Sequence, residues 1–569
     1  MDLRFWLILL LAPAIALFST RSMASEAVGY CGTPYDKAVT AEYPIRGTWM
    51  YARSACGWQN TLQDFHRIGG TTLLNFAPHL TRHADPSTVA TGCTTAEGAS
   101  CVQQARQEIG NARIRNWLSY DFGEHYGSAI ACPNGLDRKI ETVVDGTPKV
   151  FWRIVLPSDG QAACDYSSGS FDVLFVQYDA NAIESTTAML TIADHLGMDA
   201  YLGAPAFPVV SGQEWRIDEA MLASHRDWAR RVYADWNARH AGHGSFRGAY
   251  QTYEVLLGST YDASDHEYGR DANLFRSLNP GGKYVISPYL FLLKDGLGNA
   301  LTIEQTANGF RRLAAAGIDV IAPQDGRGTG NAAYYWPGQA TQTVGAVDAR
   351  LGHYPRVEAS ASFSSQYTGS IRDVFNALAV AKNEFNQGGR RVDLWANVEA
   401  FEEDTESPDY AGCSYISLSS TTKSRMDRAL TFVTGHVDRV ISFMYDPLFT
   451  CPERFGLPLQ QAIESDHDRP IITGAFFWDA PSTGIVVNGH GIGAGTELQI
   501  TWYDSNWNLQ TQRLAPGWIY PGGAGPGIDS IWVPFPRSNL APGFFIYVGA
   551  MKTTPSGMKS TTENFSLGY

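Results

Sequence analysis

From Ile45 to about Glu464, short apolar runs alternate with stretches of helical period, and nothing else in the chain limits its fold so strictly. The apolar runs include Ile45–Tyr51 (IRGTWMY), Thr72–Pro78 (TLLNFAP), Phe171–Tyr178, Asp199–Pro208, Phe246–Leu257 (FRGAYQTYEVLL) and Lys283–Leu292. Ile318–Gly326 (IDVIAPQDG), Val392–Glu403 (VDLWANVEAFEE) and Arg439–Leu448 continue the series. Strands separated by helices cannot be joined by tight hairpins; they run parallel through right-handed crossovers, and a number close to eight closes a barrel. The fold expected is α/β, a (β/α)8 TIM barrel over residues 41–467.

Two departures from this rhythm set the remaining domains. Residues 79–170 hold four of the eight cysteines and a hairpin signal at Val144-Asp145-Gly146-Thr147, and read as a disulfide-stapled insertion between barrel units. Beyond Pro470 the helical period vanishes, and short strands between Gly/Pro turns predict a small β-sandwich over 470–550. The Ser/Thr-rich residues 551–569 are expected to be a mobile tail. Residues 1–24 carry an apolar run from Phe5 to Phe18 and a small-residue cleavage pattern ending at Ala24, which predicts an exported protein, secreted or periplasmic; an uncleaved anchor is the alternative. After cleavage no stable membrane insertion is expected.

Eight cysteines suit an oxidising compartment, and neighbouring order suggests the pairs Cys31–Cys56, Cys93–Cys101, Cys132–Cys164 and Cys413–Cys451. No CxxC pair or HExxH motif points to a metal, and no cofactor is expected. In the C-terminal region Asp504, Asn506 and Asn508 have the opening spacing of a calcium loop but lack its glycine and its distal glutamate, so a hairpin turn is expected. A net charge of −14 repels a phosphate backbone and excludes nucleic acid as a natural partner. The sequence leaves the oligomeric state open.

Barrel enzymes place their chemistry where strands end, at the C-terminal rim. Glu254 ends the run counted as the fourth barrel strand and Glu399 the seventh, each in a mainly apolar setting where an unpaired carboxylate is costly. Two carboxyls flanking one bond are what glycosidic cleavage needs: one protonates the leaving oxygen, and the other attacks or activates water. A separation of about 5 to 5.5 Å would imply retention and about 6.5 to 9.5 Å inversion. Asp325, in the QDGRG turn, is the rival acid. Candidate substrate contacts are Asn75, Trp49, Tyr253, Tyr289, Gln324, Asp325, Trp395, Asn397, Tyr445 and Asp446, with Tyr335 and Trp336 as further sugar platforms. Trp502, Trp507, Trp518 and Trp532 are expected mainly as sandwich core.

The stretches RGTWMY, AYQTYEVLL, YVISPYL, GIDVIAPQDGRG and LWANVEAFEE resemble a glycosidase-like TIM-barrel family of exported bacterial proteins described only as a domain of unknown function. More broadly the chain resembles the retaining glycosidases with an acid/base on strand four and a nucleophile on strand seven. The resemblance implies those roles for Glu254 and Glu399 and a carbohydrate substrate. Tyr253 stands where that clan has Asn before its acid/base, so retention does not follow from the motif. The leading expectation is an exported glycoside hydrolase; the alternative is a non-catalytic glycan-binding or surface polysaccharide assembly protein on the same scaffold. An esterase is disfavoured because no GxSxG turn occurs.

Overall fold

The computed structural model describes residues 28–121, 124–133, 135–159, 164–167, 169–258, 262–296, 298–403, 418–452, 456–479, 482–539, 546–555 and 557–565. Eight parallel strands close a barrel: β1 (Ile45–Met50), β2 (Thr72–Asn75), β3 (Asp199–Ala204), β4 (Phe246–Gln251), β5 (Lys283–Ile286), β6 (Val320–Ile321), β7 (Asp393–Glu399) and β8 (Arg439–Phe443). β1 pairs with both β2 and β8, which seals the sheet. A helix follows each strand: α1 (Ala55–Arg67), α2 (Ser185–Leu196), α3 (Leu222–His240), α4 (Asp262–Leu278), α5 (Ile303–Ala316), α6 (Ile371–Gln387), α7 (Lys423–Val433) and α8 (Leu459–Asp466). Their boundaries are written locally. Ser54, Thr302, Ser370 and Thr422 cap helix N-termini, and α2 and α5 end on Gly197 and Gly317 with positive φ.

The insertion forms a five-stranded sheet between β2 and α2. Phe171–Asp179 belongs to this sheet, paired with Ile114–Ser119 and Thr147–Pro157, and is not the barrel strand expected of it. Its apolar run reads like a barrel strand because Phe171–Val176 is buried on both faces, one against the insertion's own core and one against the barrel. Disulfides Cys93–Cys101 and Cys132–Cys164 lie inside the insertion, and Cys31–Cys56 ties the N-terminal segment to α1. The pairing expected for Cys413, and the signal residues 1–24, lie outside the described residues. Among the described residues no helix is long and apolar enough to cross a membrane.

Arg231 of α3 fastens the insertion to the barrel. It is 1 % exposed, and it donates to Asp137 at 2.7 Å, to the Ile130 and Val155 carbonyls at 2.8 and 3.0 Å, and to Asp227 at 2.9 Å.

Two four-stranded antiparallel sheets follow the barrel. The stretch beyond 550 is no loose tail: Gly557–Phe565 pairs along its whole length with Ile546–Thr554. Its polar side chains hid the strand, because an edge strand needs only one apolar partner face. Trp518–Gly525 is likewise a strand, masked by its glycines. Trp502 and Trp532 are core, whereas Trp507 lies exposed at a turn and Trp518 is at the surface, stacked parallel to Trp532. Asp504 caps that turn by accepting from the Asn506 and Asn508 N–H groups at 2.9 and 3.0 Å.

Candidate active site

Strand alternation sorts the predicted residues before any distance is considered. Bridge partners in a parallel pair point the same way, so Leu256, Tyr289, Gln324 and Asn397, linked in one row across the extended ends of β4 to β7, share the inner face. Glu254 and Glu399, each two residues from a member of that row, fall on the same side by register.

Glu254 is open to solvent at the rim after β4. Protein nonetheless surrounds its carboxyl, and the loss of hydration pushes its pKa up to about 7, opposed by a hydrogen bond from Gln324. Gln324 is anchored in turn to the Ser287 carbonyl at 3.0 Å. Tyr289, partly exposed beside it, has its hydroxyl pKa raised by burial and by the Glu254 charge. Below lies an aromatic floor: Trp49 packs edge-on to Tyr250 at 5.8 Å, and Phe76 contacts Tyr250 and Phe443 at 6.1 and 6.0 Å.

Glu399 is differently placed. It is 3 % exposed, and the Gly328 N–H donates to its Oε2 at 2.5 Å. Its other neighbour is Asp325, fully buried, which accepts from the Tyr334 hydroxyl at 2.6 Å and from the Arg327 N–H at 3.1 Å. Burial and the Asp325 charge hold Glu399 well above the ordinary carboxylate range, while the Gly328 N–H opposes them. Asp325 is raised chiefly by burial, against the pull of Arg327 and its hydrogen bonds. Both acids are thus held above the ordinary range as a pair, which can share one proton and carry a single negative charge. Gly328 is required here by close approach: a Cβ would stand 2.5 Å from Cε2 of Phe401.

Several predicted contacts are corrected. Asn75 points outward, its amide 3.9 Å from Sδ of Met189 on α2, and Phe76 takes the inner position. Tyr253 packs outside the barrel between Phe207 and Tyr268. Tyr445 lies under the outer helices against Phe65, donating to Gln460 at 2.8 Å. Trp395 fills the barrel interior against Tyr201 and Arg439, and Trp49 is buried floor. Asn397 faces inward but is spent on Ser287 and the Phe443 N–H. Asp446 is a half-buried rim residue paired with Arg53 at 2.7 Å. Tyr335 and Trp336 pack on Phe363 and Phe432. Sequence reasoning missed Tyr51, 43 % exposed and stacked on Phe76 at 4.9 Å. The signal was present, since Trp49 and Tyr51, like Leu74 and Phe76, are two apart.

The class defined by this architecture is a closed parallel (β/α)8 barrel with acidic residues gathered at the C-terminal rim. Residues 164–456 match DUF4434, a domain of unknown function, and the chain belongs to that family. Residues 84–178, most of the insertion, match a second domain of unknown function, DUF8405. Among solved structures the chain is similar to a candidate α-L-fucosidase from Bacteroides thetaiotaomicron, with 12 % identity over 75 % of this chain and 95 % of that one, at a TM-score of 0.38. A glycoside hydrolase family 5 protein from Bacteroides vulgatus has 7 % identity over 88 % and 90 %, at 0.36. An intracellular xylanase from Thermoanaerobacterium saccharolyticum has 9 % identity over 50 % and 81 %, at 0.27. No curated protein matches the chain significantly.

Proposed function

We propose that the protein hydrolyses a glycosidic bond of an oligosaccharide or polysaccharide, with Glu254 as the proton donor. The observation that carries this reading is an accessible carboxyl at the end of β4 whose pKa is pushed up to about 7. Such a group holds a proton at neutral pH and can release it to a leaving oxygen. Tyr289 and Gln324 flank it, and the Tyr51–Phe76 stack offers a flat apolar face for a sugar ring. Glu399 is proposed as the second carboxyl. When the shared proton sits on Asp325, Glu399 is the ionised partner that attack at the anomeric carbon requires. Three disulfides among the described residues support export to an oxidising compartment.

The closure of Glu399 favours a second reading, in which the mouth binds glycan without cleaving it. A panel of aryl glycosides and polysaccharides, assayed for turnover and for binding with wild type, E254Q and E399Q, separates the two. Hydrolysis lost in both variants while binding persists supports the hydrolase. Hydrolysis by E254Q at the wild-type rate removes Glu254 from its role, and glycan binding without turnover by wild type establishes the second reading.

A further inference from the structure

On the same rim, between the connections that follow β6 and β7, lies an open cavity of about 440 Å³. Four guanidinium groups line it, those of Arg327, Arg350, Arg425 and Arg428, against a single carboxylate, Asp348. In a chain of net charge −14 this is a local reversal of sign. Arg425 bonds Asp348 and lies 2.7 Å from Glu402, which Arg350 shares at 3.1 Å, and Arg327 sits beside Asp325. Asp325, Asp348 and Glu402 offset three of these cations and Glu563 adds its charge beside Arg428, but of the four carboxylates only Asp348 lines the cavity itself.

The hydrogen bonds of Arg428 are long ones to neutral oxygens, the Tyr334 carbonyl at 3.5 Å and Oε1 of Gln339 at 3.4 Å, with the Glu563 charge nearby. Arg327 is 2 % exposed, and its Nε has no acceptor among the described residues. Exposed Ser424 stands in the first turn of α7, whose N-terminal N–H groups and dipole add to the field. Planar guanidinium donors converging on one hollow suit an oxyanion, and their mutual repulsion is relieved when one enters.

We propose that this cavity binds an oxyanion, and that the anion is a carboxylate or sulfate borne by the glycan, so that the ligand of the mouth is an acidic polysaccharide. The proposal rests on the glycan reading above. A free sulfate or phosphate shares the chemistry, and the experiment separates the sources. Titration calorimetry of the full chain at low ionic strength compares a hexuronic acid oligosaccharide, a neutral oligosaccharide of equal length and inorganic sulfate.

The acidic oligosaccharide is expected to bind about tenfold or more tighter than the neutral one, and R428Q and S424D each to remove about that factor. S424D adds a negative charge where a helix N-terminus accepts it, so the fold is kept while the anion is repelled. Equal binding of the acidic and neutral oligosaccharides, or wild-type affinity for the acidic one in both variants, overturns the proposal. Sulfate binding without preference for the acidic glycan overturns the assignment of the anion to the glycan. No turnover is read, so the site and the hydrolase reading fail independently.

Discussion

Replacing Arg231 by Met should open the joint between insertion and barrel. The side chain is 1 % exposed, and its Nε and both Nη groups are spent on Asp137, Asp227, the Ile130 and Val155 carbonyls and the Tyr166 hydroxyl. Removing one member of a buried ion pair costs about 3–5 kcal/mol, because the other charge stays behind without its partner. The remainder is partly supported. Asp137 keeps the Cys132 and Val155 N–H groups, at 2.7 and 2.8 Å, and Asp227 keeps Arg230. That places the ionic loss near ~3 kcal/mol. The Ile130 carbonyl loses its Arg231 donor, which adds ~1 kcal/mol or more. About 4 kcal/mol in total is roughly a thousandfold in the opening equilibrium. Hydrogen exchange of the Val155 amide reads that opening, since its N–H is held by Asp137. Protection falling by about three orders of magnitude in R231M is expected. A change of less than about tenfold refutes the reasoning, and restored protection in an apolar Asp137/Asp227/Arg231 triple replacement would assign the loss to stranded charge.

Three further outcomes follow from the rim. E254Q should lower kcat by about 10²- to 10⁴-fold on any hydrolysed glycan, and wild-type turnover should decline as pH rises through about 7, where Glu254 gives up its proton; a flat alkaline limb in the pH profile counts against it. Glu399 is raised in the folded chain, so the native state binds the extra proton, and the stability this brings is full below the unfolded pKa and lost as pH rises toward the folded one. Melting curves should therefore show wild type losing more stability than E399Q between acidic and alkaline pH, and parallel curves contradict the shared proton. G328A places a Cβ 2.5 Å from Phe401 and should cost about 1–3 kcal/mol by displacing the turn that donates to Glu399, read as a lowered melting temperature that G328A/F401A partly restores.

The barrel was legible because its strands alternate with helices whose caps are written in single residues, Ser54, Thr302, Ser370 and Thr422 among them. Inner and outer faces were less so. In TLLNFAP the polar Asn75 drew attention, yet Phe76 occupies the mouth, and a shift of one residue reverses the face of every neighbour. Phe171–Asp179 was misplaced because burial on both sides looks alike whether the cover is a barrel helix or an insertion. Glu254 and Glu399 could be found as strand-end carboxyls, but periodicity does not distinguish the open one from the closed one. That difference comes from Gly328 and Asp325, brought over Glu399 by a turn whose path no spacing rule encodes.

The QDGRG turn is consequently the part of the rim on which both acids depend. Consecutive residues serve different acids, Gln324 hydrogen-bonding Glu254 and Asp325 hydrogen-bonding Glu399. A turn that slid by one residue would bring Asp325 to Glu254 in one direction and Gln324 to Glu399 in the other. Asp325 facing Glu254 would put two negative charges together and drive its pKa upward, and Gln324 facing Glu399 would leave that carboxyl buried with no second acid to share its proton. Gly326 fixes the register by its positive φ of 69°, and the Asn397 carbonyl fixes it again by accepting the Asp325 N–H at 2.9 Å. The sites of proton storage at this rim are thus set by the backbone of β6 and β7 more than by the acids themselves. Charge-conserving changes in the turn, such as D325E, should therefore perturb Glu399 as strongly as changes to Glu399 itself.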